Sequence, residues 1–237
     1  MMSISHPSCT TDEGESTMTT MLRIDASARK ERSVTRRLAD AFVASWRERS
    51  PDTQVILRDV GSTPPPAVSE EWIAAAFAGE NRTLEQRALL TLSDELIEEV
   101  ETADLIVMSV PMYNYGMPAA LKAWFDQVVR VDRTFSFDLS RGDQPLEPIL
   151  NGKTLVVLTS CGEFGFEAGG INEHASHLLP HIRTCAKYLG TEVLEHVGIE
   201  YQEFGDARHE ASCAAAYSAI PDLVGRLHIS VDSIEAA

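Results

Sequence analysis

The sequence is short of positive charge. Lysine and arginine number 20 against 36 aspartates and glutamates, a formal net charge of −16 over 237 residues. That balance repels phosphate backbones and anionic lipid, which excludes nucleic acid and membrane surfaces as partners. Cysteine is scarce too. Cys9, Cys161, Cys185 and Cys213 form no Cys-x-x-Cys pair and no metal-site spacing, so no metal is expected. Free thiols in a reducing, cytoplasmic compartment follow. No hydrophobic run is long enough to span a bilayer, and residues 1–20 lack the apolar core of a signal peptide. That stretch, rich in Ser, Thr, Asp and Glu, reads as a disordered tail, with Met18 or Met21 as alternative starts. Residues 21–237 read as one domain, since neither a linker nor an internal repeat interrupts them.

Several phosphate and nucleophile motifs are also missing. The chain has no Gly-x-x-x-x-Gly-Lys-Ser/Thr, no Gly-x-Gly-x-x-Gly and no Gly-x-Ser-x-Gly. This excludes a Walker loop, a direct Rossmann dinucleotide site and a hydrolase elbow. Around Cys161, a phosphatase-type loop would place an arginine where Glu167 and Ala168 stand. His174, His177 and His181 fall at i, i+3 and i+7, a spacing better suited to a solvated helical face than to a metal, because Pro180 disturbs the helix.

What is present is an alternation of apolar runs and helical periodicity. Strands are expected at 21–25, 55–57, 105–110, 153–159 and 193–199. Helices are expected at 33–50 (Leu38, Phe42 and Trp46 inward), 68–78, 85–100 (Leu89, Leu92, Leu96 and Val100 inward), from Pro118 onward, 173–189 and 207–227. Pro180 should kink the fifth of these or delay its start, and Gly190 should end it. Residues 131–148 read as an irregular connection or hairpin. Five strands with helices between them imply an α/β, doubly wound parallel sheet of flavodoxin-like order 2-1-3-4-5. A phospho-receiver domain shares that order but needs an aspartate after the third strand, where Ser109-Val110-Pro111 stand.

Two loops invite a ligand. Residues 26–35 carry Ser27, Ser33 and Thr35 at a helix start, with Arg29, Lys30, Arg32, Arg36 and Arg37 close by in an acidic chain. Hydroxyls, a helix N-terminus and local positive charge suit a dianion. The third strand runs into Pro111-Met112-Tyr113-Asn114-Tyr115-Gly116, where aromatics and free N–H groups can face a flat ring. This segment, followed by Leu121-Lys122-Ala123-Trp124-Phe125-Asp126, resembles the flavin loop of the FMN-dependent NADH:quinone oxidoreductases, or azoreductases. Their pattern is Pro-Met-Tyr-Asn-Phe, then Leu-Lys-x-x-Phe-Asp. The loop Ser160-Cys161-Gly162-Glu163-Phe164-Gly165 matches their Ser-Arg-Gly-Gly only at Ser160 and Gly162.

The resemblance implies FMN as cofactor and NADH or NADPH as electron donor. Quinones, azo compounds or nitroaromatics would be the acceptors, in a ping-pong scheme. It implies a phosphate held by Ser27, Ser33, Val34 and Thr35. It places the ring against Pro111, Met112, Tyr113, Asn114, Tyr115, Ser160, Cys161 and Gly162, with the Asn114 N–H near N5. It also implies a homodimer, with Tyr115 walling the acceptor site and Phe137 reaching over it from the second subunit. Glu163, if turned inward, would disfavour a negatively charged reduced ring. The competing reading is an FMN-binding electron carrier without its own NAD(P)H turnover, which NAD(P)H would not bleach quickly.

Overall fold

The computed structural model describes residues 19–235, with side chains up to residue 228. Residues 1–18 of the expected tail lie outside it, while Thr20 already belongs to the first strand. The elements run β1 (Thr20–Asp25), α1 (Val34–Arg49), β2 (Gln54–Arg58), α2 (Glu70–Ala76), α3 (Leu84–Thr102), β3 (Leu105–Pro111) and α4 (Ala119–Val128). A hairpin of β4 (Phe135–Phe137) and β5 (Leu146–Pro148) follows, then β6 (Lys153–Ser160), α5 (Leu179–Ala186), β7 (Thr191–Ile199) and α6 (Ala207–Glu235).

The main sheet is parallel, in the order β2-β1-β3-β6-β7. Counting only its own strands, that is the expected 2-1-3-4-5. The chain winds outward from β1 and β3 in both directions, so the switch point lies between them. All seven residues of β3 are buried, as a strand covered on both faces requires.

Side chains alternate between two cores. Leu22, Ile24, Ile106, Met108, Leu155 and Val157 face α3, α4 and α5. Met21, Leu105, Val107, Val156 and Leu158 face α1 and α6. Leu38, Phe42 and Trp46 of α1 are buried as their spacing predicts, each worth about 1.5–3 kcal/mol of transfer free energy. The indole of Trp46 also donates to Thr53 Oγ1 at 3.0 Å. In α3 the buried stripe is Leu90, Ser93, Leu96, Ile97 and Val100, wider than the expected one, and Leu89 is 46% exposed. Leu96 and Val100 are buried as expected and Leu92 packs partly buried against the same core, so of the four only Leu89 turns to solvent.

The expected helix at 173–189 is shorter. A 3-10 turn covers Glu173–Ala175, α5 starts at Leu179, and a second turn at Lys187–Leu189 leads to Gly190 at φ 81°. Pro180 sits in the first turn of α5, where its missing N–H leaves no bond unmade. His174, His177 and His181 therefore share no helical face. No group of three or more His, Cys, Asp or Glu among the described residues is arranged to hold a metal.

Candidate functional site

At the carboxyl ends of β1, β3 and β6 the sheet opens into a cleft. Its first wall is the turn from β1 into α1. Asp25, buried, anchors that turn. It accepts from Ser109 Oγ at 2.7 Å, Arg23 Nε at 3.0 Å and Arg36 Nη1 at 3.1 Å. The Gly61 N–H donates to the Asp25 carbonyl at 2.9 Å, which brings the loop after β2 against the turn. The contact is so close that a Cβ on Gly61 would lie 2.1 Å from the Ser27 carbonyl oxygen.

Ser33 caps α1, its Oγ accepting from the Arg36 N–H at 3.3 Å and lying 3.2 Å from Thr35 Oγ1. Ser27 Oγ accepts from the Arg29 N–H at 3.2 Å. Ser27, Ser33, Val34, Arg29 and Arg32 line a space of about 340 Å³. Thr35 is buried behind Ser33 and does not line it. Arg36 does not line it either. Its guanidinium is held by Asp25, Asp59 (2.6 Å) and the Ser27 carbonyl (2.7 Å), so it braces the turn from behind. The expected five-residue basic cluster thus presents only Arg29 and Arg32 to the cleft.

The second wall is the turn after β3. Tyr113 and Gly116 exchange both backbone hydrogen bonds, at 3.0 and 3.1 Å. Asn114 and Tyr115 between them have φ of 47° and 67°, the signature of a type I′ turn. Asparagine tolerates that region; tyrosine does so at a cost of about 1–3 kcal/mol. The N–H groups of Asn114 and Tyr115 take no part in the turn's own bonds. The Tyr115 ring, 46% exposed, meets Phe166 edge-on at 6.2 Å.

The third wall is the loop after β6, and its path follows from a segment the sequence reading left out. Tyr201, Gln202 and Glu203 donate their N–H groups to the carbonyls of Glu163 (2.9 Å), Cys161 (3.1 Å) and Gly162 (3.1 Å). Phe164 stacks on Tyr201 at 4.5 Å, and Glu200 Oε1 accepts from the Gly165 N–H at 2.8 Å. Glu203 lies over Gly162 and lines both the 340 Å³ space and a smaller one of about 160 Å³. That smaller space is lined by Met112, Asn114, Tyr115, Cys161, Gly162 and Glu163. Pro111, Tyr113 and Ser160 line the larger, 340 Å³ space.

So residues from all three loops meet in one cleft, with Gln202 and Glu203 as unanticipated members. Only the tight turn implied by Tyr201 at φ 62° could have flagged them, and no turn motif announces it. Phe137 lies on β4, 52% exposed, and lines none of this space in its own chain.

Behind Cys161 lies a further cavity of about 430 Å³. His196 there shares a hydrogen bond with Thr159 Oγ1 at 2.8 Å and lies 3.2 Å from Glu167. Burial lowers the His196 pKa against the pull of Glu167. Burial, then Glu200, Glu163 and Glu167, push the Cys161 thiol up to about 12. A thiol held protonated in this way is a poor nucleophile.

A doubly wound sheet with its cleft at the switch point defines a flavodoxin-like protein, and the family described as flavodoxin-like fold matches residues 19–223. An FMN-dependent NADH:quinone oxidoreductase of Colwellia psychrerythraea is 52% identical over 218 residues, covering 89% of this chain and all of that protein. One from Idiomarina loihiensis is 50% identical, covering 90% of this chain and 92% of that protein. Among solved structures, an azoreductase from Bacillus anthracis superposes with a TM-score of 0.78 at 22% identity, over 88% of this chain and all of the other, which shows the shared fold. The chain belongs to the family of FMN-dependent NADH:quinone oxidoreductases.

Proposed function

We propose that this chain reduces quinones, and azo compounds or nitroaromatics alongside them, with electrons from NADH or NADPH passed through FMN. The observation that carries the reading is the continuity of the cleft: a hydroxyl-lined helix N-terminus and an aromatic I′ turn border one space at the switch between β1 and β3. Its donor set fits FMN. Ser27, Ser33, Arg29, Arg32 and the start of α1 suit a phosphate dianion. The free N–H groups of Asn114 and Tyr115, beside Met112 and the side-chain-free Gly162, suit a planar ring.

The bound flavin would accept and release the hydride. The chain's part is to hold and orient. Ser33 fixes the phosphate through α1, with Thr35 positioning its hydroxyl. Asn114 would offer its N–H to the ring, on the N5 side, and Tyr115 would wall the acceptor side. Glu163 and Glu203 place negative charge at the ring end. The exposed Phe137, outside its own cleft, suits a homodimer in which it covers the second subunit's site. No helix among the described residues is long and apolar enough to cross a membrane, and a cytoplasmic enzyme fits the free thiols.

The test is an absorbance titration. Protein supplied with FMN and then freed of unbound flavin by gel filtration should stay yellow, bleach within seconds of NADH or NADPH addition under argon, and recolour when a benzoquinone is added. Flavin that binds but stays oxidised under excess NADH and NADPH would favour the electron carrier instead.

A further inference from the structure

Away from the cleft, a cavity of about 620 Å³ lies between the start of α3, the turn before it and the loop after α4. Its charge runs against that of the chain. Arg82, Arg87, Arg130 and Arg133 line it, against Glu80 and Asp94. The whole protein carries −16.

The pairing of these arginines is incomplete. A single oxygen, Asp94 Oδ1, accepts from both Arg130 and Arg133, the latter at 2.7 Å. Arg133 also reaches Glu101 at 3.2 Å. Arg82 donates to the backbone carbonyls of Ala75 and Ala76, at 2.8 Å each. Arg87 donates through Nε to the Arg82 carbonyl at 3.3 Å. Among the described residues, no carboxylate forms an ion pair with Arg82 or Arg87. Carbonyls orient a guanidinium without neutralising it. Arg130, with its side chain 4% exposed, also has a buried Nε without a hydrogen-bond partner. Burial lowers its pKa, and Arg133 and Arg82 press the same way.

A set of four guanidiniums with so few carboxylates favours an anion. Their planar forks match phosphoryl oxygens two at a time, and the space is of the size that holds a small molecule, about 300–1,000 Å³, not a single ion. We propose that this cavity binds a diphosphate group, as free pyrophosphate or at the end of a nucleotide, at a site separate from the cleft.

The experiment is calorimetry on FMN-saturated protein at moderate ionic strength, titrated with inorganic pyrophosphate and, separately, ADP. Saturable binding of one ligand per chain is expected. Equal affinity for the two would identify the diphosphate alone as the ligand, and tighter ADP binding would extend the site to a nucleoside. Both outcomes support the proposal. Arg87→Glu, on the solvent side of α3, should weaken pyrophosphate binding about tenfold or more, and Arg87→Gln about threefold. Both variants should keep the wild-type melting profile. Arg29→Glu, in the cleft, should leave pyrophosphate affinity within about twofold. No saturable heat at millimolar pyrophosphate would overturn the proposal. So would binding lost in Arg29→Glu and kept in Arg87→Glu, because the anion would then be sitting in the cleft.

Discussion

At its phosphate end the cleft is made of backbone in close contact and of hydroxyls supplied by one short loop. At its ring end it is a glycine-containing loop pinned by residues some 40 positions further on and overlaid by a carboxylate. The first arrangement is rigid because each part is held by main chain. Gly61 rests on the Ser27 carbonyl, Ser33 caps α1, and Asp25 ties β1 to β3 through Ser109. The second can give, because what lies over Gly162 is the far end of a flexible glutamate. The same chemical event, adding one methyl group, should therefore cost much more at the first end than at the second.

That contrast is the largest effect we expect. In Gly61→Ala the new Cβ would lie 2.1 Å from Ser27 O and 2.5 Å from Ser27 C, so backbone must move. Overpacking of this kind costs about 1–3 kcal/mol. The displaced atoms belong to the turn proposed to hold the phosphate, so FMN affinity should fall by about 100-fold or more. In Gly162→Ala the Cβ meets Glu203 Cγ and Cδ at 2.6 Å, and that side chain can rotate into solvent. Stability should fall by less than about 1 kcal/mol and FMN affinity by no more than about threefold. Fluorescence titration and thermal melts of both variants decide the matter. Equal losses would mean that the ring end is as rigid as the phosphate end.

The two ends also differed in how well the sequence disclosed them. Ser33 was readable as the cap of α1 because a helix cap is a local object: a hydroxyl precedes a periodic apolar run, and the fold supplies the rest. The turn at 112–116 was readable for a similar reason, as proline, an aromatic pair and glycine leave a buried strand few ways to continue. The loop after β6 was not. Its path depends on hydrogen bonds to residues 201–203, and no periodicity or turn signature links positions so far apart. Arg36 was misassigned on the same ground. Its charge is local and legible, while its partners, Asp25 and Asp59, come from the ends of two different strands. Sheet order followed from the strand count because crossover handedness leaves few alternatives.

A smaller effect should separate the ends electrostatically. Glu203 lines both halves of the cleft, and an FMN phosphate carries charge of the same sign. The residue is exposed, so the repulsion is screened, and at a separation of several ångströms it amounts to roughly 0.5–1 kcal/mol. Glu203→Gln should tighten FMN binding about threefold, with the gain shrinking as salt is raised. Weaker binding in this variant would mean that the carboxylate accepts a hydrogen bond from the ring and helps to hold it.

The smallest effect is a difference in acid response between the two walls. His196, behind Cys161, has its pKa lowered below 6.5 chiefly by burial. The unfolded chain then binds a proton more readily than the folded one, so stability is full above about pH 6.5 and declines as pH falls toward the folded value. Asp59, which holds Arg36 behind the phosphate turn, behaves differently. Burial acts to raise its pKa, but hydrogen bonds from Arg36 and Ser62 outweigh that and keep it below 3.8. Its contribution is present above pH 3.8 and is lost only as pH falls through the lower, folded value. Between pH 7 and 5 the ring-end wall should therefore loosen while the phosphate end holds. For one proton the slope is limited to about 1.4 kcal/mol per pH unit. In urea denaturation across that range, His196→Gln should flatten the decline. Asp59→Asn should lower stability at every pH, because Arg36 loses a partner, without changing the slope. A flattened slope in Asp59→Asn instead would place the acid-sensitive group at the phosphate end and reverse the comparison.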